Sequence, residues 1–147
     1  MKVLLQRVSQ ASVSINGARV AHISRGLVAF VGIAKEDTES DAQYLVEKLA
    51  NLRIFPDKED KLNLSALDIN GEILVVSQFT LLADTRKGRR PNFSQAAEAT
   101  QAEELFKHFV ELAEATGLKV ETGHFQQHML VEIHNQGPVT ILLESKN

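Results

Sequence analysis

The spacing of apolar and polar positions changes several times along the chain, and each change marks an element. Residues 3–15 are rich in Val, Leu and Ile and alternate through Val8, Ser9, Gln10, Ala11, Ser12 and Val13, the period of a strand. Asn16-Gly17 supplies the positive φ of a tight turn, which predicts a hairpin with residues 19–23. Ser24-Arg25-Gly26 reads as a second turn. The run Leu27-Val28-Ala29-Phe30-Val31-Gly32-Ile33 is continuously apolar, as expected for a strand covered on both faces.

The period then lengthens. Ser40-Asp41-Ala42-Gln43 fits a capping box, and Ala42, Leu45, Val46, Leu49 and Leu52 recur at helical spacing. Arg53-Ile54-Phe55 predicts a short strand stopped by Pro56, and residues 57–61 a solvated charged loop. Glu72-Ile73-Leu74-Val75-Val76 predicts a buried strand. A second helix is expected over 94–116, with a stripe of Ala102, Leu105, Phe106, Phe109, Leu112 and Ala113 and with Gly117 as its stop. Three strands should follow, over 119–125, 129–134 and 139–143. Nothing repeats, and no Pro/Ser-rich linker divides the chain. The order predicts one α/β domain over residues 1–147: a mixed β-sheet in a three-layer arrangement, two helices packed on one face and extra strands on the other.

Composition narrows the function classes. A hydrophobic fraction of 44% and a charged fraction of 24% are ordinary for a globular protein. The net charge of -3 argues against a general nucleic-acid coat, so any RNA contact must be local. Arg86, Lys87, Arg89 and Arg90 concentrate four of the 16 Lys and Arg residues in one short loop. Cysteine is absent, which removes disulfides, thiolate nucleophiles and Cys-ligated zinc. The apolar run at Met1-Lys2-Val3-Leu4-Leu5-Gln6-Arg7 breaks too early for a signal peptide, and residues 27–34 are too few to span a membrane. A cytoplasmic protein with no membrane partner is expected.

Hydrolase elbows, Walker loops and dinucleotide fingerprints are all missing. His124 and His128 are four apart, but on a predicted strand and turn that spacing does not converge on one ion, so no metal site is expected. Two stretches carry candidate chemistry. Val75-Val76-Ser77-Gln78-Phe79-Thr80-Leu81-Leu82 begins as a buried strand and ends in hydroxyls and a carboxamide, just before Arg86-Lys87-Gly88-Arg89-Arg90-Pro91. Arginine pairs bidentately with phosphate, so this neighbourhood suits a phosphate-bearing substrate. A strand end with satisfied side chains and a solvated turn is the plainer reading. Phe93 reads better as a core anchor than as a base-stacking ring. Asn135-Gln136-Gly137-Pro138-Val139-Thr140 places a Gly-Pro pair between two predicted strands, where a cis bond is admissible but the spacing alone favours an ordinary turn.

Together the two stretches resemble the signature motifs of D-aminoacyl-tRNA deacylases, Ser-Gln-Phe-Thr-Leu and Asn-x-Gly-Pro-Val-Thr. The likeness extends through Leu5-Gln6-Arg7-Val8, Lys61-Leu62-Asn63-Leu64-Ser65, Lys87-Gly88-Arg89-Arg90-Pro91, and Thr122-Gly123 with Phe125 and Met129. The chain departs from the family pattern at Gln126-Gln127-His128, where Gly-Ala usually follows the Phe.

The resemblance implies hydrolysis of D-aminoacyl-tRNA, and of mischarged glycyl-tRNA, by a homodimer with sites at its interface and no cofactor. Ser77, Gln78, Phe79 and Thr80 would form the catalytic strand end. Asn135, Gly137, Pro138, Val139 and Thr140 would carry chiral selection, a cis Gly137-Pro138 entering the partner's pocket to exclude L-aminoacyl esters. Arg86, Lys87, Arg89 and Arg90 would bind tRNA, and Phe125 and Met129 would form a nucleotide pocket. The backbone amides of Phe79 and Thr80 are expected to hold the oxyanion, with the Thr80 hydroxyl as nucleophile the alternative. An RNA-binding module without catalysis is the competing function. It leaves the Gly-Pro pair without a role.

Overall fold

The computed structural model describes residues 1–146. Its axis is a long first strand, β1 (Lys2–Ile15), turned back at Asn16-Gly17 into β2 (Ala18–Ile23) and followed by β3 (Gly26–Gly32). Both turn residues take positive φ, 51° and 79°. Antiparallel partners run from Ile15↔Ala18 to Ala11↔Ile23 and resume at Val8↔Gly26, ending at Lys2↔Gly32. β2 and β3 therefore follow one another along one edge of β1, interrupted only at Ser24 and Arg25. The other edge carries β8 (Leu130–Glu144).

A parallel extension completes the sheet. β6 (Glu72–Ser77) pairs with β3 on one side and with β7 (Lys119–Thr122) on the other. Both crossovers carry helices, α1 (Glu39–Asn51) and α2 (Ala99–Ala115). A small hairpin, β4 (Phe55–Pro56) with β5 (Leu62–Leu64), stands apart from the main sheet.

Two apolar clusters divide the faces. Leu27, Ala29, Val31, Ile73 and Val75 pack against Leu45 and Leu49 of α1 and Phe106 and Phe109 of α2. The alternate residues Val28, Leu74 and Val76 are covered by Val8, Ala11, Val13, Ala21 and Ile23, with Met129, Val131 and Ile133 beside them. The expected three layers are present, the third being the curled end of the sheet itself. Each fully buried Leu here contributes roughly 1.5–3 kcal/mol, so the helical face is held by many such terms rather than by one.

Several boundaries differ from expectation. α1 begins two residues earlier because Thr38, not Ser40, makes the capping box, with Asp41 Oδ2 accepting from the Thr38 amide at 2.8 Å. α2 begins at Ala99 rather than 94. The residues before it are held elsewhere: the Lys35 amide donates to the Gln95 carbonyl at 3.1 Å, and the Ala97 amide to the Ile33 carbonyl at 2.9 Å. β7 stops at Thr122, short of 125. The two strands expected over 129–134 and 139–143 are one, β8. The Gly-Pro pair interrupts it as a bulge instead of ending it.

Candidate active site

β6 lies between two parallel neighbours, so its apolar run is buried up to Val76 and its polar residues emerge at its carboxyl end. The Gln78 amide donates to the Val31 carbonyl at 2.8 Å, which ties the strand end to β3. The chain then enters a short 3-10 turn over Phe79–Leu82. This turn crosses the end of β3 closely. A Cβ on Gly32 would lie 2.6 Å from Leu82 Cδ2 and 2.9 Å from Leu81 Cβ, so the crossing requires glycine. At the head of the turn, the Phe79 and Thr80 amides have no hydrogen-bond partner among the described residues.

A cleft of about 740 Å³ opens here. Ser77, Gln78, Phe79 and Thr80 form one wall, Ala102 of α2 lies behind, and the loop carrying Phe125 and Met129 forms the other wall. Phe125 packs against Phe106 of α2, their ring centroids 6.1 Å apart. Inside the cleft the Gln78 carboxamide donates to the Thr80 hydroxyl. No histidine, lysine or carboxylate bonds that hydroxyl among the described residues, so nothing there removes its proton. Phe79 is 57% exposed and meets Phe93 edge-on, with centroids 5.1 Å apart. Phe93 is thus half-buried beside the cleft, not the core anchor expected from the sequence.

The second motif lies elsewhere. Opposite Arg7 alone, β8 uses the four residues 136–139, between the pairs Gln6↔Thr140 and Val8↔Asn135. Gly137 and Pro138, joined by a cis peptide, are exposed and line no part of this chain's cleft. Arg7 holds the bulge from beneath. It is 8% exposed, and its Nε donates to the Gln136 carbonyl at 3.1 Å and its Nη1 to the Ile54 carbonyl at 2.8 Å. A Cβ on Gly137 would fall 2.9 Å from Arg7 Nη2. The Asn135 carboxamide closes the bulge. In the orientation that satisfies both its ends, it donates to the Val139 and Arg7 carbonyls at 3.1 and 2.9 Å and accepts from Gln6 Nε2 and the Thr140 hydroxyl.

The basic loop is pinned at its foot by two backbone bonds between Asp84 and Asn92, 2.7 and 2.9 Å. Its four cations are not equivalent. Arg86 is clamped by Asp84, Nε to Oδ1 at 2.9 Å and Nη2 to Oδ2 at 2.7 Å. That hydrogen bonding holds the Asp84 carboxyl down at about 2. Lys87, Arg89 and Arg90 are exposed and make no ion pair among the described residues. No group of three or more His, Asp or Glu among the described residues could hold a metal ion. No described helix is long and apolar enough to cross a membrane.

Sequence reasoning gave Arg7 no role of its own. A signal was present: Arg7 continues the alternation of Val3 and Leu5, putting a cation where the pattern requires a core side chain.

Comparison with known proteins identifies the family. The family model described as D-Tyr-tRNA(Tyr) deacylase matches residues 4–144. A D-aminoacyl-tRNA deacylase of Caldicellulosiruptor saccharolyticus is 56% identical over 146 residues, covering 99% of this chain and 98% of its own. One from Thermotoga petrophila is 53% identical over 145 residues, covering 99% and 97%. A solved structure described as c-Myc DNA Unwinding Element Binding Protein superposes with a TM-score of 0.94 at 41% identity, over 100% of both chains. The chain belongs to the D-Tyr-tRNA(Tyr) deacylase family. Its activity is that of the family, hydrolysis of the ester that joins a D-amino acid to tRNA.

Proposed function

We propose that the chain proofreads chirality as a homodimer, each cleft completed by the Gly137-Pro138 bulge of the other subunit. The observation that carries this reading is the placement of the second motif. The bulge is shaped by Arg7 and Asn135, yet it faces outward from its own cleft. It also sits on a 15-residue edge strand that among the described residues pairs only with β1, and that exposes Leu130 and Leu142. An unpaired edge of that length, with two leucines among its exposed residues, suits a second copy of the chain.

In the completed site, carbonyls of the bulge face the substrate's α-carbon. They leave room for hydrogen on one side and exclude an L side chain by contact. D-aminoacyl and glycyl esters both fit, whatever the D side chain. For the reaction, water adds to the ester carbonyl carbon, and the Phe79 and Thr80 amides stabilise the oxyanion. Collapse breaks the carbon–oxygen ester bond, and the ribose oxygen leaves with a proton. The Thr80 hydroxyl, already engaged by Gln78, is not the nucleophile. Thr80→Ala should therefore keep activity within about tenfold of wild type, whereas loss of an activating base and nucleophile pair typically costs far more. Complete loss in a folded dimer would restore the nucleophile model.

Lys87, Arg89 and Arg90 contact tRNA phosphates, Phe125 and Met129 take the terminal base, and the protein acts in the cytoplasm. The reading is tested by incubating the protein with D-aminoacyl-, L-aminoacyl- and glycyl-tRNA and following ester loss, alongside sedimentation equilibrium. Hydrolysis of the D and glycyl esters by a dimer is expected. Hydrolysis of the L ester at a similar rate defeats the chiral reading, and a monomer of full activity defeats the shared site. Binding of all three without hydrolysis leaves only the RNA-binding module.

A further inference from the structure

The cleft wall opposite the catalytic strand end holds a group of side chains that the mechanism does not use. Gln126, Gln127 and His128 line the cleft together with Phe125 and Met129, and all three are exposed. Most of the remaining lining is apolar, including Ile33, Val76, Ala97, Ala102 and Val131. The loop is turned tightly here: the Gln127 amide donates to the His124 carbonyl at 3.3 Å, and Gln126 takes φ 59°. That is a backbone conformation glycine adopts freely, so a long carboxamide stands where the turn itself has no need of one. None of the three side chains makes a hydrogen bond to the rest of the chain among the described residues. They are donors and acceptors presented to whatever passes the mouth of the cleft.

Size determines what passes. A cleft of about 740 Å³ is the volume of a single small-ligand site, enough for an amino acid and one nucleoside. With the ester at Thr80 and the terminal base at Phe125, the preceding nucleotides must leave over the rim. Single-stranded RNA ends are recognised by side chains that reach their unstacked base edges and ribose hydroxyls, and the donors and acceptors of glutamine and histidine suit both.

We propose that Gln126, Gln127 and His128 form a recognition rim that hydrogen-bonds the nucleotides immediately preceding the terminal aminoacylated nucleoside. The inference rests on the deacylase reading of the cleft. The test compares two substrates, D-tyrosyl-tRNA and D-tyrosyl-adenosine, which lacks those nucleotides. Two variants are used, Gln127→Ala/His128→Ala and the triple Gln126→Gly/Gln127→Ala/His128→Ala, with thermal melting as the folding check.

Loss of two or three hydrogen bonds should raise KM for D-tyrosyl-tRNA about five- to tenfold with kcat little changed. The rise for D-tyrosyl-adenosine should be several times smaller. An equal rise with both substrates overturns the inference, because the rim then serves the terminal nucleoside; so does no rise with tRNA. Failure of the wild-type chain to hydrolyse D-tyrosyl-tRNA would overturn the deacylase reading itself, a result plainly different from either.

Discussion

The two motif segments are built in opposite ways. Ser77–Thr80 ends a central strand, is tied to β3 through Val31 and points into a cleft of its own chain. Gly137-Pro138 interrupts an edge strand, is gripped from beneath by one buried arginine and points away. In the proposed dimer the first is half of one site and the second half of another. The contrast teaches that the fold spends its interior on placing backbone groups, with side-chain chemistry secondary at both motifs.

The largest effect should come from removing the support under the outward half. Arg7→Ala leaves the Gln136 and Ile54 carbonyls without their buried donor, at a cost of about 3 kcal/mol, and lets the bulge relax. A clear fall in thermal midpoint and a loss of D-aminoacyl-tRNA hydrolysis beyond about tenfold are expected. Wild-type values for both would show that the bulge keeps its form unaided. Next comes the inward half. Gly32→Ala pushes on Leu81 and Leu82, shifts the 3-10 turn and should cost about 1–3 kcal/mol, with kcat falling more than KM rises. An unchanged kcat would mean that the turn tolerates displacement.

Smaller effects belong to the loop between the halves. Substituting Lys87, Arg89 and Arg90 together by Ala should raise KM and reduce the slope of log KM against log salt by about 2, leaving kcat in place. Arg86→Ala alone should do much less, since its charge is already answered by Asp84. The Asp84 carboxyl is depressed to about 2, below its unfolded value near 3.9. The pairing is therefore complete above pH 4 and is lost only as pH falls toward 2. The inequality between Arg86 and the other three should accordingly persist across neutral and mildly acidic pH. Equal salt slopes for all four single variants would refute it.

Much of this was legible in residue spacing. Period-two and continuous apolar runs located β1, β3 and β6, because strands buried on one or both faces must follow those patterns. The strand end at Ser77 was legible because polarity appears where burial stops. What failed was set by distant contacts. Local signals placed the start of α2 at 94, yet residues 95–97 are bonded to Lys35 and Ile33, which no local window contains. Gly137-Pro138 looked like a turn because glycine and proline end strands in most settings. Only pairing with β1 on both sides of the bulge, with Arg7 between, makes residues 130–144 one strand. Arg7 itself kept the alternation while breaking its chemistry, and its partners lie 47 and 129 residues away.

The pairing of β1 with β8 also bears on how the protein comes into being. Lys2 is matched with Glu144, so one edge of β1 stays open until β8 has been synthesised. The parallel units and both helices can form beforehand, as domains assemble from the N-terminal side during translation. The wall at Phe125–Met129 and the bulge at Gly137-Pro138 come last, joined by contacts of the greatest sequence separation and hence of slow closure. A nascent chain on the ribosome thus carries an unfinished cleft with no second motif. If the cleft is completed as proposed, cleavage of aminoacyl-tRNA begins only after β8 has emerged.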